Sequence, residues 1–159
     1  MEKIGLPEKF IERMSGELPE DEREAFFAVY ERTGYEKGLL INALKIGAGE
    51  FEKITALTLD GVVPWNENAR YVKDEKVGGD PHHAAGLYYM QEPSAASVAP
   101  KAEAKSGERV LDLCAAPGGK TASLAAAMQG GGLLVCNEPV KSRAQILLSN
   151  IERLGVKNA

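Results

Sequence analysis

Two features of this 159-residue chain have the residue types and spacing to do chemistry. One is the run Leu111 to Thr121, LDLCAAPGGKT, where small residues and a proline make a sharp turn that ends in a lysine and a hydroxyl. The other is Glu138, twenty residues beyond Gly118. Glycines at such a turn have no Cβ, so a ligand can lie against bare backbone, and the first N–H groups of a following helix supply donors. A carboxylate about 20 residues further on can accept from both hydroxyls of a ribose at once. Turn and acid together read as a nucleoside-binding arrangement.

The elements that must position these residues are legible on either side of them. Arg109 to Leu113 is an apolar run with β-propensity, and Thr121 to Met128 is an alanine-rich helical stretch. Leu133 to Cys136 is a second short apolar run, and Arg143 to Leu154 (RAQILLSNIERL) repeats apolar residues at helical spacing. Strand, helix, strand, helix in that order is half of a doubly wound sheet, with the turn at the tip of the first strand and Glu138 at the tip of the second. Gly155 to Ala159 reads as the approach to a third parallel strand. Two parallel strands leave apolar surface and an edge uncovered. The expectation is therefore that residues from about Lys105 onward are loosely ordered or associate with another copy of the chain.

Three kinds of ligand compete for the turn. A dinucleotide site wants G-x-G-x-x-G, and CAAPGG lacks the first glycine. A phosphate loop wants a glycine where Cys114 stands, so Gly118-Gly119-Lys120-Thr121 imitates only the end of that motif. The third kind follows from a resemblance. LDLCAAPGGKT followed by NEPVKSRAQILLSNIERLGVKN resembles the cofactor-binding half of the Nop/Sun family of RNA cytosine-5 methyltransferases, and within it the bacterial ribosomal RNA type. His83 to Tyr89 (HAAGLYY), Gln91 to Ala95 (QEPSA) and LPEKFIERM at 6–14 resemble the family's earlier segments, so the likeness runs over nearly the whole chain.

The resemblance implies an α/β architecture. A small N-terminal α/β module spans 1–80, a connecting segment and helix 81–104, and the first half of a Rossmann-like methyltransferase domain 105–159. It implies S-adenosylmethionine as cofactor, held by Cys114, Ala115, Ala116, Pro117, Gly118, Gly119 and Lys120, with Glu138 on the ribose. The partner it implies is RNA, of the ribosomal kind, in the cytoplasm. That cofactor has a ribose and a zwitterionic tail but no phosphate, which suits a turn rich in backbone donors. Lys120 has two readings, a partner for the tail carboxylate or a solvated first-turn lysine.

Family members attack carbon 6 of the cytosine with a cysteine thiolate and release the product with a second cysteine. Those cysteines lie in Pro-Cys and Thr-Cys motifs downstream of the part that corresponds to this chain. Cys114 belongs to the cofactor turn and Cys136 to an apolar strand, where free cysteine is usually an inert core residue. The resemblance thus implies the front part of an enzyme, with no catalytic residue assigned here.

Composition narrows the classes. No apolar run is long enough to cross a bilayer, the charged start has no signal-peptide core, and two cysteines 22 positions apart suit a reducing compartment. The net charge of −4 and pI of 5.3 are unusual for a nucleic-acid binder. Residues 1–37 hold ten acidic and six basic side chains, so the rest of the chain is neutral and the acidity is local.

The front half reads as helices at Leu6 to Met14 and Pro19 to Arg32 with Phe10, Phe26, Phe27 and Tyr30 in their core. A buried strand follows at Gly38 to Leu44 and a short helix at Gly49 to Ala56. In the family an arginine often precedes the asparagine of this strand, whereas Leu40 and Ile41 precede Asn42 here. Val62 to Trp65 and Ala69 to Val72 read as a hairpin across Asn66-Glu67-Asn68, and Pro93-Ser94 as the opening of a helix running to Val98. His82 and His83 lack further ligands at metal spacing and read as loop residues, so no metal is expected. Trp65, Tyr88 and Tyr89 read first as packing between the two modules and second as stacking platforms for bases.

Two other functional classes remain: a non-catalytic nucleoside- or RNA-binding module, and a nucleotide-dependent oxidoreductase, which the missing first glycine disfavours. On the methyltransferase reading, the purified 159-residue chain transfers no methyl group to RNA. Incubation with radiolabelled S-adenosylmethionine and ribosomal RNA checks this, and label in the RNA would contradict it.

Overall fold

The computed structural model describes residues 5–30, 35–74, 77 and 79–159, and the chain divides into two units, one up to Tyr35 and one from Glu36 onward. The periodic apolar residues of the first unit form α1 (Glu8–Glu17) and α2 (Glu20–Tyr30). Glu20, Asp21 and Glu22 occupy the first turn of α2, where the helix dipole favours carboxylates. Phe10, Phe26 and Tyr30 form an aromatic cluster with centroids 5.5 to 6.3 Å apart, and Phe27 lies against Phe26 at 5.3 Å. No residue of either helix is fully buried. The expected extension of the second helix to Arg32 lies outside the described residues.

The second unit begins with an antiparallel four-stranded sheet. Its elements are β1 (Gly38–Ile41), α3 (Ala48–Ile54), β2 (Leu59–Val62), β3 (Ala69–Val72), α4 (Pro81–Ala84) and β4 (Tyr88–Met90), with strand order β2-β3-β1-β4. The unbroken apolar run of β1 is explained by its place inside the sheet. Leu39 and Ile41 pack with Phe51, Val72 and Tyr88, while Leu40 packs with Val63, Ala69 and Ala96.

The structure departs from the sequence reading in several places. The strand expected over 38–44 stops at Ile41, because Asn42 closes a turn with its side-chain oxygen on the Leu44 N–H. The hairpin exists, but its first strand is Leu59–Val62 rather than 62–65. Pro64 has no N–H to give a ladder, and Asn66 instead accepts from Asn68 N–H and donates to the Ala96 carbonyl. Tyr88–Met90, which carries no strand signal beyond its aromatics, pairs antiparallel with β1.

After a 3-10 turn at Ser94–Ser97 come α5 (Val98–Ala102), β5 (Arg109–Asp112), α6 (Gly119–Ala127), β6 (Leu133–Cys136) and α7 (Lys141–Leu154). The helix expected to run from Pro93-Ser94 to Val98 is instead a 3-10 turn, and the α-helix begins at Val98, where the expected one ends. β5 and β6 are parallel, with Arg109 opposite Leu133 and Asp112 opposite Cys136. Ala99, Leu124, Ala125, Met128 and Leu134 form the core between α5, α6 and these strands. The Asn158 carbonyl accepts from the Leu134 N–H at 2.8 Å, so this residue lies beside β6, but the sheet itself has two strands. On the other face Leu111, Leu133 and Val135 are about half exposed, a surface that parallel sheets ordinarily cover with helices.

The joint between the two sheets is polar and specific. The last carbonyls of α7 are capped from the β1 turn: Asn42 Nδ2 donates to Leu154 O at 2.8 Å and Lys45 Nζ to Arg153 O at 2.7 Å. The same two side chains donate to Gly86 O and Ala85 O. Gly86, at φ +70°, is required here, since the Arg153 carbonyl stands where a Cβ would be. Asn42→Ala leaves two buried carbonyls without a donor, and a loss of about 2–3 kcal/mol in urea denaturation is expected. An unchanged midpoint would show that the joint contributes nothing.

Candidate functional site

The turn expected to bind a ligand is held from inside by Asp112, the last residue of β5. The fully buried Thr121 hydroxyl donates to Asp112 Oδ2 at 2.7 Å, and the Cys114 N–H to Oδ1 at 3.3 Å. One carboxylate therefore spans the turn from its first residues to the first turn of α6. The chain leaves β5, buries Ala115 and Ala116 against Leu147, passes a cis Ala116–Pro117 bond and enters α6 through Gly118 at φ +119°.

The glycines serve a different purpose from the one their type suggests. A Cβ on Gly118 would meet Leu147 Cδ1 at 3.3 Å and Asn150 Cβ at 3.5 Å, and one on Gly119 would lie 2.8 Å from Tyr89 Cε1. Both are buried, so the space freed by their missing side chains is filled by α7 and by a tyrosine of β4, not left bare. What the turn offers outward is the start of α6, whose first N–H groups have no preceding helical turn to bond, together with the exposed Cys114, Pro117 and Lys120.

Glu138 follows β6 and reaches back toward the same turn through α7. Its Oε1 accepts from Val140 N–H at 3.0 Å, and its Oε2 lies 3.3 Å from an Arg143 guanidinium nitrogen, with the acid side chain 3% exposed. The other terminal nitrogen of Arg143 donates to Ala116 O at 3.1 Å, and Asn150 Nδ2 donates to Pro117 O at 2.8 Å. Arg143, Leu147, Asn150 and Leu154 fall on one face of α7 at i, i+4, i+7 and i+11. Reading the helix only for its apolar residues missed Arg143 and Asn150. The signal was two polar side chains on the face that also carries Leu147 and Leu154.

The remaining candidates resolve individually. His82 and His83 are in α4, capped by Asp80, which also accepts from the Tyr88 hydroxyl at 2.8 Å. Burial and Arg153 push the His83 imidazole below its ordinary value, and burial with Asp80 pushes the Tyr88 phenol well up. Among the described residues no group of three or more His, Cys, Asp or Glu is placed to hold a metal, and no helix is long and apolar enough to cross a membrane. Tyr89 packs on the α6 start, whereas Trp65 stays 42% exposed, donates to Pro93 O and lines a cleft of about 710 Å³ between the first sheet and α6.

Comparison with known proteins agrees over both halves. Residues 6–93 match the family model for the N-terminal domain of 16S rRNA methyltransferase RsmF, and residues 99–159 match that for 16S rRNA methyltransferase RsmB/F. The ribosomal RNA small subunit methyltransferase F of Vibrio cholerae serotype O1 (strain M66-2) is 39% identical over 168 residues, covering 98% of this chain and 34% of the relative. That of Photobacterium profundum is 37% identical, covering 99% and 35%. The chain spans about a third of the length of the curated relatives it matches. A methyltransferase homologue from Pyrococcus horikoshii superposes with a TM-score of 0.84 at 28% identity, covering 97% of this chain and 51% of that one. NSun6 from Pyrococcus horikoshii, solved with SFG, gives 0.79 at 16% identity over 96% and 64%, a likeness of fold.

The two cysteines differ in a way that alkylation reads directly. Cys114 is exposed, whereas Cys136 is partly buried and its thiol is pushed up, first by burial and then by the Asp112 carboxylate. The thiolate is the reactive form, so Cys136 is expected to react with iodoacetamide later than Cys114 at pH 8 and to gain reactivity as the pH is raised further. Peptide mapping that finds Cys136 labelled first would contradict this geometry.

Proposed function

We propose, from the premise that this chain belongs to the family of 16S rRNA methyltransferases of the RsmF type, that its residues Cys114 to Lys120 and Glu138 hold S-adenosylmethionine. The reaction this serves is methyl transfer to carbon 5 of a cytosine in ribosomal RNA. The observation that carries the reading is the parallel register of β5 and β6. It brings the turn after Asp112 and the acid after Cys136 to the same carboxyl edge, where open α/β sheets bind nucleotides.

The donor set fits this cofactor better than a phosphate ligand. No ring of cations surrounds the turn among the described residues; the nearest guanidinium, that of Arg143, is engaged by Glu138 and the Ala116 carbonyl. Glu138 accepts the ribose hydroxyls, and the start of α6 with Lys120 receives the carboxylate of the methionine tail. The bound cofactor supplies an electrophilic methyl group on a sulfonium. This chain's residues bind and orient it: Asp112 and Thr121 set the turn, and α7 sets the acid. Neither cysteine is assigned the attack on the base, since Cys136 is a partly buried thiol whose pKa is pushed up by burial and Cys114 belongs to the turn. On this reading residues 105–159 are the cofactor half, and 1–80 is the module that accompanies it on RNA, its sheet completed by β4 from the connecting residues 81–104.

Glu138→Ala is expected to weaken binding of S-adenosylhomocysteine by about 1–3 kcal/mol, the usual worth of a charged hydrogen-bond partner. Isothermal titration with the unsubstituted and substituted proteins measures this. Equal affinities would remove Glu138 from the site.

A further inference from the structure

The geometry points to Arg143 as a positioning residue that presents the Glu138 carboxylate to the ribose diol, an inference that rests on the assignment of Glu138 to the ribose. Arg143 lies in the first turn of α7 and spans two groups from different loops, with one terminal nitrogen 3.3 Å from Glu138 Oε2 and the other donating to Ala116 O at 3.1 Å. A guanidinium is a rigid planar fork, so these contacts fix the carboxylate relative to the turn in a way a flexible ammonium does not. The acid side chain is 3% exposed and the arginine 55%, so the arginine is the solvent-facing member of the pair.

The count of acceptor sites makes the arrangement suited to a diol. An ionised carboxylate has about four lone-pair sites, two on each oxygen. The Val140 N–H takes one on Oε1, while Arg143 faces Oε2 at 3.3 Å as an ion pair and not as a hydrogen bond. At least one site is left on each oxygen, which matches two adjacent hydroxyls. Without Arg143 the carboxylate keeps only the Val140 contact and is free to rotate away. The helix itself stays docked, because Leu147 remains buried on Ala115 and Ala116, and Asn150 still donates to Pro117 O. The arginine is therefore separable from the brace that shapes the turn.

The test is a titration, followed by NMR so that weak binding is measurable, of S-adenosylhomocysteine and its 2′,3′-dideoxyribose counterpart. Both ligands are added to the 159-residue chain and to E138A, R143A, R143K and the R143A/E138A pair. The unsubstituted chain is expected to prefer the diol by about tenfold or more, the worth of a charged hydrogen-bond pair. E138A erases that preference, R143A cuts it at least about threefold, R143K falls between, and R143A changes nothing further once Glu138 is gone. A merely structural role for Arg143 weakens both ligands equally and leaves the preference intact, and that result overturns the inference while sparing the cofactor assignment. No preference in the unsubstituted chain, no binding at all, or a preference that survives E138A overturns the assignment of Glu138 and this inference with it.

Discussion

The docking of one face of α7 is the interaction on which the rest of this structure depends. Along about 21 Å of helix, at 1.5 Å per residue, that face touches everything that matters. Arg143 holds Glu138 and the Ala116 carbonyl, Leu147 is buried against two alanines of the turn, and Asn150 holds Pro117. At the far end the helix's last carbonyls are capped by Asn42 and Lys45 from the first sheet. Gly86 makes sense in this light, because the Arg153 carbonyl of α7 stands where its Cβ would be, while Gly118 is required by its own φ of +119°.

A second constraint acts from within the strand. Asp112 ends β5 and, with one oxygen on Thr121 and the other on Cys114, ties the two ends of the turn together. The carboxylate of a partly buried strand end is costly unless its acceptors are used, and here both oxygens have donors. The turn thereby has a packed side and an open side. The inner side of the turn is packed with alanine, leucine and tyrosine, and the outer side presents the first N–H groups of α6 and the exposed Lys120.

Much of this was legible from residue order alone. The alternation of apolar runs with helical spacing over 109–154 set out strand, helix, strand and helix, and the small-residue turn and distant acid are the two groups that the parallel strands bring to one edge. What local pattern could not show was long-range pairing. Nothing near Asn42 or Lys45 indicates that they cap a helix more than 100 residues away, since that requires the fold to exist first. Tyr88–Met90 is too short to announce itself as a strand and becomes one because β1 offers it a partner. The glycines are turn formers as read, but the protein atoms that stand in their Cβ directions were not legible, because sequence gives the absence of a Cβ and not what fills its place. The acidic bias of the first 37 residues likewise stays local, and the two acid-rich helices form a unit separate from the candidate site.

The proposed nucleoside site joins the outer side of the 114–120 turn to the carboxylate of Glu138, its shape set by α7. A crystal structure with S-adenosylhomocysteine bound tests it most directly. The expected density places the ribose hydroxyls on Glu138 and the amino-acid tail against the start of α6, with the contacts of Arg143 and Asn150 unchanged. Ligand density in the cleft beside Trp65, or at the turn with Glu138 pointing away from the ribose, would contradict it.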